Sequence, residues 1–207
     1  GIAGLSTAIA LQKIGIDALI FEAADEIKPV GAGITLAANA IRAYKKIGIA
    51  DDVISVGRPL GQLNIYDENG KLISMADPIP LQKKFGVSNY ALHRSELHRV
   101  LLSHIPAGQL FTGKRSASFK EVTEGYEVRF QDGSQVNARY LIVAEGIHSP
   151  IRKQVLPGSR IRYSGYTCWR GISDNSSLQL SETSETWGRD GRFGIVPLNN
   201  SQVYWYA

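Results

Sequence analysis

The chain opens on Gly1-Ile2-Ala3-Gly4, runs straight into a helical pattern, and places Glu22 at the end of the next apolar run. That order constrains the fold more than any other feature of the sequence. Glycines at the mouth of a helix let the backbone approach a charged group closely. The first N–H groups of that helix lack intrahelical acceptors and point at the same group. A carboxylate roughly 20 residues further on, at a strand end, accepts hydrogen bonds from a ribose. Together these are the later parts of a dinucleotide fingerprint whose first glycine would precede residue 1. The same residues also suit a glycine-rich turn for helix–strand packing, with Glu22 facing solvent. Local sequence leaves both readings open.

The rest of the pattern is mixed α/β. Leu5, Ala8, Ile9 and Leu11 predict an amphipathic helix over 4–14 with Gly15 at its C-terminal end. Ala18-Leu19-Ile20-Phe21 is a continuous apolar run, as in a strand covered on both faces. Residues 38–48 read as a helix ending at Gly48, and 61–76 as a hairpin turning at Glu68-Asn69-Gly70. Ser95 to His104 reads as a helix stopped by Pro106. A clearer hairpin carries Tyr126, Val128 and Phe130 out, turns at Asp132-Gly133, and returns through Val136 and Ala138. It leads into Tyr140-Leu141-Ile142-Val143-Ala144, a second buried-strand signature. From about residue 160 the helical period gives way to strands rich in Tyr and Trp. The chain starts at a phosphate-type loop and stops in a strand-like run, so it reads as a piece of a longer protein.

Composition removes several function classes. One cysteine, Cys168, rules out an internal disulfide and a multi-cysteine zinc site. The four histidines, His93, His98, His104 and His148, have no carboxylate or cysteine partners at metal-ligand spacing, so no metal is expected. The net charge of +4 is scattered rather than striped, which argues against nucleic acid. No apolar run approaches the roughly 20 residues that span a bilayer, and the expected compartment is the cytoplasm.

Three further segments suit a ligand. In Val30-Gly31-Ala32-Gly33-Ile34-Thr35-Leu36, small residues allow a backbone to lie against a flat molecule, and Thr35 and Arg42 have phosphate-binding side chains. Arg94, in Leu92-His93-Arg94-Ser95-Glu96, sits at a helix start, where the macrodipole disfavours a cation unless an anion is near. Ala144-Glu145-Gly146-Ile147-His148-Ser149-Pro150 follows the second buried strand, at the end where α/β sheets bind ligands. A tight loop and surface arginines explain each segment equally well taken alone.

Taken together, these segments resemble the single-component FAD-dependent aromatic hydroxylases, the class of para-hydroxybenzoate and salicylate hydroxylases. Phe21-Glu22-Ala23 followed by Glu26-Ile27-Lys28-Pro29-Val30-Gly31-Ala32 is particularly similar to the flavin-dependent urate hydroxylases. The resemblance implies a Rossmann-like FAD-binding domain of the glutathione-reductase type with a β-sheet-rich substrate domain. The implied boundaries are 1–60 and 86–160 for the first and 61–85 and 161–207 for the second. It assigns Gly1, Ala3 and Gly4 to the pyrophosphate and Glu22 to the ribose. Ala23, Thr35, Arg94, Ser116 (through its backbone) and Glu145 would add FAD contacts, Glu145 standing where the family has Asp. Cys168, Arg192 and Tyr204 would meet the substrate, with Arg192 and Tyr204 the catalytic candidates. A second flavin motif, a Gly-Asp pair, would lie beyond residue 207.

The implied activity uses NADH or NADPH and O2 to hydroxylate a small aromatic or heteroaromatic ring through a C4a-hydroperoxyflavin. The alternatives are another flavin oxidoreductase, a halogenase-like relative on the same fold, or a fragment that binds FAD without activity.

Overall fold

The computed structural model describes residues 1–29 and 31–207, and every side chain among them except that of Leu81. Val30 of the glycine-rich segment lies outside the described residues. In chain order the elements begin with α1 (Ile2–Lys13), β1 (Ile20–Phe21), β2 (Gly33–Leu36), α2 (Ala38–Ile47) and α3 (Ala50–Val56). There follow β3 (Arg58–Pro59), β4 (Leu63–Asp67), β5 (Leu72–Ala76), α4 (Ile79–Phe85), β6 (Tyr90–His93) and α5 (Arg94–Ser103). Next come β7 (Leu110–Phe111), β8 (Ser116–Val122), β9 (Gly125–Phe130), β10 (Gln135–Ala138) and α6 (Pro150–Val155). The last four are β11 (Arg170–Asp174), β12 (Thr183–Trp187), β13 (Arg192–Pro197) and β14 (Gln202–Tyr206).

The chain forms two compact units, one of Gly1–Lys28 with Leu101–Gly165, the other of Pro29–Val100 with Tyr166–Ala207. In the first unit α1 buries Leu5, Ala8 and Ile9, the i, i+3, i+4 stripe of an amphipathic helix. Just beyond its end, Gly15 adopts a left-handed φ of 78° and donates its N–H to the Gln12 carbonyl. The chain then returns as β1, which pairs in parallel with β7 at Ile20↔Leu110 and Phe21↔Phe111. Phe21 stacks on Phe111 at 5.3 Å and leans on Phe130 at 5.0 Å, which ties the parallel pair to the antiparallel sheet β10-β9-β8. Against that sheet, the Gln154 amide of α6 brackets the Phe119 backbone, accepting from its N–H at 3.0 Å and donating to its carbonyl at 2.5 Å.

One expected strand is absent. Residues 140–144 take no strand conformation, and Tyr140, Ile142 and Val143 are exposed. An apolar run becomes a sheet strand only where a neighbour accepts and donates its backbone hydrogen bonds. Among the described residues no strand pairs with this one. β1 is likewise shorter than the run Ala18–Phe21, with Leu19 exposed, because its ladder to β7 spans only two residues.

The second unit holds a six-stranded sheet, β11-β14-β13-β12-β4-β5, antiparallel throughout except for the β12–β4 pair. The expected hairpin over 61–76 forms its β4–β5 edge. A smaller sheet, β2-β6-β3, accompanies it. α2 ends where expected, with Gly48 left-handed at φ 84°. Its first turn lacks a local cap, and Asn89, far along the sequence, supplies one: its Oδ1 accepts the Ala38 N–H at 2.8 Å. The core here is Ala91, Val196, Leu198 and Tyr204, with Ala32, Leu60, Ile172 and Tyr206 packed around it.

The glycines of the expected ligand loop have a different use in this unit. A Cβ on Gly33 would lie 2.2 Å from Cγ of Tyr204, and one on Gly31 would lie 3.0 Å from Cδ of Arg94. On the side where a Cβ would project, these two glycines are covered by side chains of the chain itself. The compact units also divide the chain at places other than the implied functional boundaries, since 29–60 and 86–100 pack with the six-stranded sheet.

Gly33→Ala is expected to destabilise the protein by about 2 kcal/mol, the usual scale for overpacking a filled site. Gly61→Ala, where an added Cβ meets nothing within 4 Å, is expected to stay within about 0.5 kcal/mol. Urea unfolding of both variants provides the comparison.

Candidate functional site

The first turn of α1 has no side-chain cap. Gly1 is its N-cap, no side chain caps it, and no acidic residue occupies its first turn, so its leading N–H groups have no side-chain acceptor. A Cβ on Gly1 would meet nothing within 4 Å. Gly4 sits opposite Ala144, where an added Cβ would make an ordinary 3.6 Å contact, so packing alone does not require glycine there. Ala3 spends its carbonyl on the Thr7 hydroxyl at 2.8 Å.

Glu22 lies beside the start of α1. Its Oε2 accepts from the N-terminal ammonium of Gly1 at 3.0 Å and its Oε1 from the Ala24 N–H at 3.0 Å. Its backbone is fixed from both sides: the N–H donates to Phe111 O and the carbonyl accepts from Lys114 N–H, each at 2.8 Å. These bonds continue the parallel β1–β7 pairing and aim the side chain back at the helix. Burial works to raise the carboxyl pKa, but the Ala24 hydrogen bond and the ammonium at the N-terminus of this chain outweigh it and leave the group below the ordinary carboxylate range. Glu22 therefore carries a full negative charge at neutral pH. Ala23 is half-buried in the turn that follows.

In the same unit the structure joins Ser116 to Glu145. The Ser116 hydroxyl donates to Glu145 Oε1, and the Ser149 hydroxyl donates to Oε2 at 2.5 Å. Ser149 is also the N-cap of α6, accepting from Arg152 N–H at 3.0 Å. The backbone of Ser116 is paired with Phe130 in the β8–β9 ladder, so it is the hydroxyl that links to the Glu145 loop.

The remaining sequence candidates belong to the second unit. Thr35 is exposed on β2. Arg94 begins α5, its N–H donating to Ala32 O at 3.0 Å and its side chain running over Gly31. Tyr204 is only 7% exposed, and its ring lies on Gly33. Burial pushes its phenol above the ordinary value; the Arg170 guanidinium acts the other way without reversing it. Cys168 is exposed and accepts from Arg170 Nε at 3.4 Å.

Sequence reasoning missed Glu185. It stands on β12 opposite Gly194, while Trp187 stands opposite Arg192. Its Oε1 accepts from Trp187 Nε1 at 2.5 Å and from Arg192 at 3.3 Å, and its Oε2 accepts from the Tyr206 hydroxyl. Burial works to raise its pKa, but the three donors prevail and hold it below the ordinary range. Tyr206 moves the other way, pushed well above the usual phenol range by burial and then by Glu185. The available signal was the turn Gly188-Arg189-Asp190-Gly191, which sets a register bringing Glu185 diagonal to Arg192.

Comparison with known proteins gives the family of the chain. The FAD binding domain family matches residues 1–206. Aurachin C monooxygenase/isomerase of Stigmatella aurantiaca is 35% identical over the whole chain, and 2-heptyl-3-hydroxy-4(1H)-quinolone synthase of Pseudomonas aeruginosa is 34% identical. The chain spans 54% of either relative, so it covers about half the length of the curated proteins it matches. The crystal structure of Klebsiella pneumoniae HpxO complexed with FAD and uric acid superposes with a TM-score of 0.91 at 30% identity, over all of this chain and 53% of that one. The architecture is thus α/β, of the Rossmann-like FAD-binding type with an accompanying β-sheet. No helix among the described residues is long and apolar enough to cross a membrane.

The Glu185 cluster should be acid-sensitive. A carboxyl whose folded pKa lies below its ordinary 4.5 adds stability that is complete above that value and lost as pH falls through the folded one. Trp187 emission is expected to shift with a midpoint below 4.5, and the shift is expected to vanish in Glu185→Gln.

Proposed function

This chain belongs to the FAD binding domain family, and on that premise we propose that the protein is an FAD-dependent monooxygenase acting with NAD(P)H and O2 on a small aromatic or heteroaromatic ring. The observation that carries this reading is the Glu22 carboxylate at the end of β1, anchored by the Ala24 N–H and the β7-side backbone and standing next to the start of α1. A dinucleotide presents a diphosphate and a ribose diol side by side. Here the N–H groups of Ile2, Ala3 and Gly4 serve the diphosphate, and Glu22, kept ionised, accepts from the diol.

The other cofactor roles follow the family resemblance. Ala23 offers backbone beside Glu22, and Ser116 and Glu145 form a hydrogen-bonded pair in the first unit. Glu145, though longer than the family's Asp, is held by Ser116 and Ser149 and keeps its charge in a fixed position. Thr35 and Arg94 are the cofactor residues assigned to the second unit. When bound, FAD supplies the redox chemistry, accepting a hydride from NAD(P)H and then enabling transfer of one atom of O2 to the ring.

The protein's part is to orient and to hold protons. We assign Cys168, Arg192 and Tyr204 to the substrate. Tyr204, with its phenol pKa raised by burial, stays protonated at neutral pH and donates to a ring oxygen or nitrogen. Arg192 stays charged and donates to the substrate's polar edge. The two reported relatives act, by their names, as an aurachin C monooxygenase and a hydroxyquinolone synthase, and the HpxO structure contains uric acid. A fused or substituted heteroaromatic ring is the substrate class this favours over halogenase or simple reductase chemistry. NAD(P)H supply and the single unpaired cysteine support a cytoplasmic setting.

Incubating the whole protein with FAD, NAD(P)H, 18O2 and a panel of quinolones, purines and hydroxybenzoates tests the reaction. One labelled oxygen in a ring product is expected. NAD(P)H consumed with hydrogen peroxide as the sole oxygen product across the panel would refute oxygenation. Glu22→Gln removes a charge-assisted acceptor worth about 1.5–3 kcal/mol, so FAD should bind roughly ten- to a hundredfold more weakly in equilibrium dialysis.

A further inference from the structure

We propose that Glu185 decides which rings this protein accepts: it cancels the charge of Arg192, so an uncharged aromatic is preferred to an anionic one. The inference rests on reading the six-stranded sheet as the substrate surface and goes beyond that reading by naming the charge class of the substrate.

The register puts the relevant groups on one face. Arg170, Tyr206, Gly194 and Glu185 form a continuous cross-strand row over β11, β14, β13 and β12. Residues directly opposite one another in a sheet share a face. Arg192 and Trp187, each two residues from a member of this row, lie on that face too. At Gly194 the row has no side chain, and the Tyr206 ring occupies the gap: a Cβ there would lie 2.0 Å from the ring's Cζ. The missing side chain lets the phenol cross β13 and deliver its hydroxyl to Glu185 Oε2. A glycine, a tyrosine, a tryptophan and an arginine thus converge on one carboxylate.

The charge balance follows. The Glu185 side chain is 16% exposed while that of Arg192 is 61% exposed, so the arginine presents its outer side to solvent with its countercharge fixed beneath. An anionic ring brought to Arg192 would gain one attraction and meet the Glu185 charge just behind it. Of the other acids near this end of the face, Asp67, opposite Trp187, has Oδ1 committed to the Asn69 and Lys71 N–H groups, and Glu68 accepts from the Arg189 N–H at 3.3 Å, in the turn that also carries Asp190. Arg170 lies at the far end of the row, with Nε turned to Cys168. Between them, Tyr206 and the partly exposed Trp187 offer aromatic faces whose own donors are already used on Glu185. That surface suits a neutral ring lying flat.

Two probes of nearly equal shape, benzamide and benzoate, separate the charge classes. Calorimetric titration of the FAD-loaded whole protein is expected to show benzamide binding at least fivefold more tightly than benzoate. Glu185→Gln is expected to strengthen benzoate about tenfold while benzamide stays within twofold, and Glu185→Asp, which keeps the charge, should retain the original preference. A preference for benzoate in the unaltered protein overturns the proposal, as does a change of less than twofold in the ratio in Glu185→Gln, or failure of both probes to bind. The unaltered protein's ratio alone decides the matter should the variants not fold. Because calorimetry reads binding rather than turnover, the absence of labelled product in the 18O2 assay would refute the monooxygenase reading without touching this ratio.

Discussion

The candidate cofactor site depends on one placement: a carboxylate held at the open end of a helix. The leading N–H groups of α1 are donors without side-chain acceptors, and Glu22 faces the same opening with its charge intact. A lone anion here would only complement the helix dipole. The backbone bonds of Glu22 to Phe111 and Lys114 fix where its side chain starts, next to the helix rather than within it. A diphosphate with an attached ribose is the ligand that needs both the helix donors and the carboxylate. The two-residue parallel ladder of β1 with β7, small as it is, is what fixes the register of that carboxylate.

In the second unit the comparable constraint is steric. Glycines sit where aromatic rings cross neighbouring strands: Tyr204 over Gly33, Trp205 over Gly171 and Tyr206 over Gly194. Three successive residues of β14 therefore lie against bare backbone, and the strand is positioned by its rings as much as by its hydrogen bonds. Rings locked this way have little rotamer freedom left to lose on binding a ligand, which is a condition for preorganised recognition.

Elements governed by local pattern were legible in the sequence. α1, α2 and α5 and both hairpins form within a residue or two of their expected limits, because helical period, glycine termini and turn residues act over short distances. Residues 140–144 were misread because an apolar run specifies only willingness to be buried, and whether it becomes a strand depends on a partner elsewhere. The packing at Gly31 and Gly33 was not legible for a related reason. Their small size was visible, but the occupants of the space, Arg94 and Tyr204, are far off in sequence. Glu185 escaped notice because its role exists only once β12, β13 and β14 are in register. The placement of Glu22 beside the start of α1, by contrast, was legible because its signal is a spacing along the chain.

The two tyrosines of β14 show how the structure refines a motif. Tyr204 and Tyr206 share a face and touch at 5.6 Å between ring centroids, yet their hydroxyls have different prospects. That of Tyr206 is spent on Glu185, which holds the phenol protonated and commits its proton to an internal acceptor. No described residue hydrogen-bonds the Tyr204 hydroxyl, and burial keeps that phenol protonated as well. A donor without an internal acceptor is available to a ligand that supplies one. Of the two, Tyr204 is therefore the one suited to meet a ring oxygen or nitrogen, and Tyr206 the one suited to hold Glu185 in place beneath Arg192.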